Sequence, residues 1–79
     1  PNPTGGYTLQ FGAFADSVKA YKLIQKLTDI GLEPYISETE VNGAQLLRVR
    51  AENFNSRDEA EEAGSALGDQ FIYMVVPRE

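Results

Sequence analysis

Three side chains able to make directed hydrogen bonds, Gln10, Arg48 and Arg50, stand in stretches that otherwise alternate like strands, "YTLQFGAF" and "LLRVRAENF". A carboxamide offers donors and an acceptor, and a guanidinium offers five donors in a planar fork that suits carboxylates. Tyr35, Phe71 and Tyr73 are aromatic residues in the neighbouring strand-like stretches. Such a set can hold a ligand but has little means of breaking its bonds. The 79 residues include no histidine and no cysteine, so the common proton shuttle, the thiol nucleophile and the usual ligands of a metal centre are missing. No metal, no cofactor and no catalytic residue is therefore expected. Glu38, Glu40 and Glu52 could be imagined as a glycosidase pair, but exposed carboxylates at strand ends lack the environment that separates an acid from a base.

The net charge of −5 argues against nucleic acid, whose affinity for proteins rests largely on neutralising phosphates with Lys and Arg. No apolar run approaches the roughly 20 residues needed to cross a bilayer, so no membrane contact by this domain is expected. The uncharged opening "PNPTGG" resembles the end of a linker, leaving residues 7–79 as one domain. A chain of this size has one core and buries roughly 60% of its unfolded surface.

The elements that must position the polar residues follow from periodicity. Tyr7 to Ala13 alternates, with Tyr7, Leu9, Phe11 and Ala13 on one face and Thr8, Gln10 and Gly12 on the other. Asp16 or Ser17 can cap a helix in which Ala20, Leu23, Ile24, Leu27 and Ile30 keep helical spacing, and Gly31 stands at its stop. A second strand is predicted over Glu33–Glu40 and a third over Gln45–Ala51, joined by Asn42-Gly43, both of which tolerate the positive φ of a type I′ turn. "SRDE" predicts a capping box with Ser56 and Glu59, opening a helix that ends at Gly68. "FIYMVV", Phe71–Val76, predicts the last strand, with Pro77 ending it. Lys19, Lys22 and Lys26 form a solvated stripe on the first helix, and Asp58, Glu59, Glu61 and Glu62 complement the positive end of the second.

The order is βαββαβ, and its halves match at an offset of 40: Phe14, Ala20, Leu23, Leu27 and Ile36 against Phe54, Ala60, Ala63, Leu67 and Val76. Two βαβ halves predict an α+β, ferredoxin-like split βαβ sandwich, a four-stranded antiparallel sheet with two helices on one face. In a 4-1-3-2 strand order the other face is open. Alternation assigns Leu9, Phe11, Ile36, Leu47, Val49, Ala51, Ile72, Met74 and Val76 to the helix side. The open side takes Thr8, Gln10, Tyr35, Ser37, Leu46, Arg48, Arg50, Phe71, Tyr73 and Val75. Polar donors between aromatic walls suit a sugar polymer, whose C–H faces pack on rings and whose N-acetyl amides pair with a glutamine. The strand "LLRVRAENF" lacks the Gly-aromatic core of an RNA-recognition motif. A protein-interaction module and a small-molecule-sensing dimer are the other readings this topology allows.

The stretches "YTLQFGAFADSVKAYKLIQKLTDIGLEPYI" and "LLRVRAENFNSRDEAEEAGSAL" resemble the SPOR domain, the bacterial sporulation-related repeat. "LQFGAF" is similar to the family's V-Q-x-G-x-F, and "RVRAENF" falls on its R-V-x-x-G-P-F, with Glu52-Asn53 in place of Gly-Pro. The resemblance implies a non-catalytic module that binds peptidoglycan glycan strands freed of their peptide stems at the division septum, outside the cytoplasm in periplasm or cell wall; a monomer is expected. It implies use of the open sheet face, with the family's glutamine at Gln10; combined with the alternation above, the expected glycan site is Thr8, Gln10, Gly12, Tyr35, Arg48, Arg50, Phe71 and Tyr73, and the protein-interaction reading would add division proteins as partners. One of Arg48 and Arg50 would then take the lactyl carboxylate that stem removal leaves behind.

Overall fold

A computed structural model describes residues 6–78; all but the last residue of the expected linker lie outside this range. Six main elements follow the expected order: β1 Tyr7–Phe14, α1 Ser17–Asp29, β2 Pro34–Val41, β3 Ala44–Phe54, α2 Arg57–Ser65 and β4 Met74–Pro77, the last preceded by a 3₁₀ turn at Gly68–Gln70. The strands form one antiparallel sheet in the order β2-β3-β1-β4. Leu9, Phe11, Val49 and Ala51 of the two central strands are buried against Ala20 and Leu27 of α1 and Ala60 of α2, so both helices cover the same face. Ala20 and Ala60, forty residues apart, are each fully buried where a helix meets the sheet. No helix among the described residues is long and apolar enough to cross a membrane.

Local chemistry sets the element ends. Asp16 caps α1 by accepting from Val18 N at 2.8 Å. At the other end Gly31, with φ +92°, closes a double turn in which Gly31 N donates to Thr28 O and Leu32 N to Leu27 O. Ser56 Oγ accepts from Glu59 N at 3.2 Å, while the Glu59 carboxylate accepts from Asn55 N, one residue earlier than a standard capping box requires. Asn42 and Gly43 both take positive φ, which turns β2 directly into β3.

Two irregularities in the β1–β3 ladder change which residues share a face. The pairs Gln10–Arg50 and Gly12–Val49 enclose an extra residue in β1, whereas Tyr7–Phe54 and Leu9–Ala51 enclose one in β3. The first bulge reverses the alternation, so Gly12 turns to the helix side and Ala13 to the open side, contrary to the sequence expectation for both. A Cβ on Gly12 would lie 2.9 Å from the Phe14 ring. Its smallness thus serves packing inside the domain. The second bulge holds Glu52 at φ +67°, the conformation natural to the glycine of the family pattern. Glu52 is held there by Glu33, whose N–H donates to the Glu52 carboxylate at 2.7 Å.

β4 is shorter than predicted and out of phase with the prediction. Leu9 pairs with Val75 and Gln10 with Met74, so Val75 lies on the core side and Met74 on the open side. Phe71 meets Phe11 edge to face at 5.9 Å, and Tyr73 lies over Gly64 of α2 with its hydroxyl 3.4 Å from Ser65 Oγ and Glu61 Oε1. Ile72 is instead 89% exposed. "FIYMVV" carries no polar residue to mark a solvent face, so pairing with β1 decides its phase.

Candidate functional site

The uncovered face is organised in rows across the strands. Tyr35 of β2, Arg50 of β3, Gln10 of β1 and Met74 of β4 are successive cross-strand partners, and Ser37, Arg48 and Ala13 form the row beside them. Gln10, Tyr35, Arg48 and Arg50 are thus brought together as expected. Phe71 and Tyr73 are not, because they pack beneath the sheet. Met74 takes the place expected for an aromatic wall; its pairing with Gln10 is legible only once the β1–β4 register is known.

Each polar residue of the rows is held by another. Arg50, only 5% exposed, donates from Nε to Gln10 Oε1 at 2.9 Å. Arg48 is half-buried and donates to Ser37, from Nη2 to Oγ at 2.7 Å and from Nε to the carbonyl at 3.3 Å. Thr8 lies on the same side but is fully buried. Its hydroxyl accepts from the Tyr35 hydroxyl at 3.0 Å and lies 2.7 Å from Glu52 O and 3.1 Å from Ala51 O, the carbonyls of the β3 bulge. Thr8 therefore supports Tyr35 and has no surface of its own to offer a ligand.

A depression of about 390 Å³ opens at the β2 end of the first row, lined in part by Tyr35, Ser37, Arg50, Asn53 and Arg78. Asn53 and Arg78 are additions to the predicted set. Arg78 follows the proline expected to end the last strand, and its N–H instead continues the edge by donating to Gly6 O at 2.8 Å. The paired strand positions of this face, from Thr8, Gln10 and Ala13 through Tyr35, Ser37, Thr39, Leu46, Arg48 and Arg50 to Met74 and Val76, include two cations and no carboxylate. Among the described residues, these central positions of a chain of net charge −5 thus carry positive charge. A larger hollow of about 600 Å³ lies on the helix side, where Phe11, Leu23, Ile30, Phe71 and Ile72 meet Lys26 and Asp29. No group of acids among the described residues is arranged to hold a metal ion.

The fold matches that of the peptidoglycan binding domain of the Bacillus subtilis cell wall lytic enzyme CwlC, with TM-score 0.74 and 25% identity over 100% of this chain and 96% of that one. The SPOR domain of RlpA from Pseudomonas aeruginosa matches with TM-score 0.72 and 31% identity, over 95% of this chain and all of that one. The Spor protein DedD shares the fold at TM-score 0.72 and 19% identity; 96% of this chain aligns with 40% of that one. Comparison with the curated proteins gives no match. The sequence pattern of the SPOR domain, a family of binding modules, matches residues 3–73. With the βαββαβ order, the uncovered sheet face and the Gln10 strand all in place, the chain belongs to the SPOR domain family.

Proposed function

We propose that this domain is a non-catalytic peptidoglycan-binding module that holds glycan strands freed of stem peptides on its open sheet face and thereby brings a parent protein to the division septum, in the bacterial periplasm or cell wall. The observation that carries the reading is the row Tyr35, Arg50, Gln10 and Met74, a strip running across all four strands that bears a guanidinium and, among the described residues, no paired carboxylate position. The peptidoglycan-binding description of the CwlC domain supports it. A tyrosine ring and a thioether can pack against sugar C–H faces on either side of the Gln10 amide.

Stem removal leaves a lactyl carboxylate on each muramic acid, which a guanidinium can take in a charge-assisted hydrogen bond. Arg48 is the better placed of the two arginines because Arg50 is almost fully buried. Such a bond contributes roughly 1.5–3 kcal/mol when shielded and less on an open, wet surface, so several shallow contacts imply modest affinity. An intact stem removes the carboxylate and adds bulk. The test is a pulldown on purified sacculi with and without amidase treatment, beside Gln10→Ala and Arg48→Gln. The reading expects retention that rises after amidase, falls with Gln10→Ala, and loses its preference for treated sacculi with Arg48→Gln. A domain that stays in the supernatant throughout overturns it.

The apolar hollow rimmed by exposed Ile30 and Ile72 favours a second reading, a protein-interaction module of the division machinery. Localisation that survives substitution of Gln10 but not of Ile72 would support that alternative.

A further inference from the structure

Arginine has no acceptor atom, so the Gln10 atom 2.9 Å from Arg50 Nε must be the carboxamide oxygen. The orientation of this amide, ambiguous for most glutamines, is therefore determined here by its partner. Arg50 is itself 5% exposed on a central strand, directly across from Gln10, and so has little freedom to release it. Gln10 Nε2 makes no hydrogen bond among the described residues, and no buried side-chain nitrogen or oxygen among them lacks a partner; the nitrogen therefore reaches solvent. A side chain that could both give and accept thus turns its oxygen to Arg50 and its two N–H donors to the face.

We propose that Arg50 is a positioning residue that polarises Gln10, making the centre of the site a dedicated donor that reads an acceptor oxygen on the ligand. On a glycan strand the strongest neutral acceptor is the carbonyl of an N-acetyl group, and a hydroxyl would have to turn its lone pair inward to be accepted. Arg50 falls on a variable position of the "R-V-x-x-G-P-F" pattern, so this device belongs to the chain's own sequence. The proposal rests on glycan binding at Gln10, and it separates the two arginines by role: Arg48 faces the ligand's carboxylate, whereas Arg50 acts through Gln10.

The deciding variant is Gln10→Glu, which preserves shape and keeps an oxygen for Arg50 but replaces the outward donor with an acceptor. Retention on amidase-treated sacculi should fall about fivefold in Gln10→Ala, the worth of one hydrogen bond, and tenfold or more in Gln10→Glu, where two acceptors oppose each other. Thermal melting establishes that both variants are folded. In the ¹⁵N-labelled wild-type domain, soluble glycan chains freed of stems by amidase should shift the Gln10 Nε2 protons while leaving the Arg50 Nε–H resonance in place. Gln10→Glu binding as tightly as wild type, or a ligand-induced shift of Arg50 Nε–H as large as that of Gln10, overturns the donor assignment while leaving the glycan site standing. If Gln10→Ala binds undiminished, the glycan site at this residue falls and the assignment falls with it.

Discussion

The Tyr35 hydroxyl, on edge strand β2, donates to Thr8 Oγ1 on β1 at 3.0 Å, spanning the bulged end of β3 that separates them. The bond makes Tyr35 a fixed wall of the open face, because its tip is anchored to a fully buried group. Tyr35→Phe removes one hydrogen bond and should destabilise by about 1 kcal/mol. Thr8→Val should cost more, roughly 1–3 kcal/mol, since it leaves the Tyr35 hydroxyl and the Glu52 carbonyl without their partner. Urea denaturation of both singles and the double variant measures the coupling, which should be clearly non-zero.

Glu52 stands in the left-handed region with φ +67°, a conformation that costs a non-glycine residue roughly 1–2 kcal/mol. Glu52→Gly relieves that strain but loses the carboxylate's bond from Glu33 N. The two effects should nearly cancel, leaving stability within about 1 kcal/mol of wild type. Glu52→Ala keeps the strain and loses the bond, so it should be the less stable of the pair by chemical denaturation.

Gly12 and Gly64 are small because rings lie over them. A Cβ at Gly64 would come within 2.4 Å of the Tyr73 ring, and one at Gly12 within 2.9 Å of Phe14. Each Gly→Ala change should cost about 1–3 kcal/mol of overpacking, offset in part at Gly64 by better helix propensity. Sacculus binding per folded molecule should be unchanged in Gly12→Ala, which separates its packing role from a place in the binding face.

Residues of the last segment should divide by side. Phe71→Ala and Tyr73→Ala open the core and should lower stability by about 2–4 kcal/mol without a specific effect on binding. Met74 is 58% exposed beside Gln10, so Met74→Glu should leave the melting temperature nearly unchanged yet reduce sacculus retention severalfold. Equal loss of retention in all three variants at matched folded fraction would contradict this division.

Retention on amidase-treated sacculi should weaken steadily as salt is raised, because on the proposed reading half-buried Arg48 meets an anionic polymer at the open face. Raising ionic strength until the Debye length falls from roughly 10 Å to about 3 Å should remove most of the electrostatic part. Arg48→Gln should flatten that dependence; a salt slope identical to wild type would show that Arg48 carries none of it.

The sequence by itself determined the element order, the Asp16 and Ser56 caps, the Gly31 stop, the Asn42-Gly43 turn and the gathering of Gln10, Tyr35, Arg48 and Arg50 on one face. These follow from local chemistry and from alternation counted within uninterrupted strands. The side taken by Gly12, Ala13, Phe71, Tyr73 and Met74 was decided only in the tertiary structure. One inserted residue at a bulge reverses every position beyond it, and neither bulge has a local marker strong enough to place it. In "FIYMVV", apolar on both sides, the phase was left to partners distant in sequence: Leu9 for Val75, Phe11 for Phe71 and Gly64 for Tyr73. The burial of Thr8 has the same cause, since a hydroxyl on the open face is covered only when a tyrosine from two strands away reaches across to it.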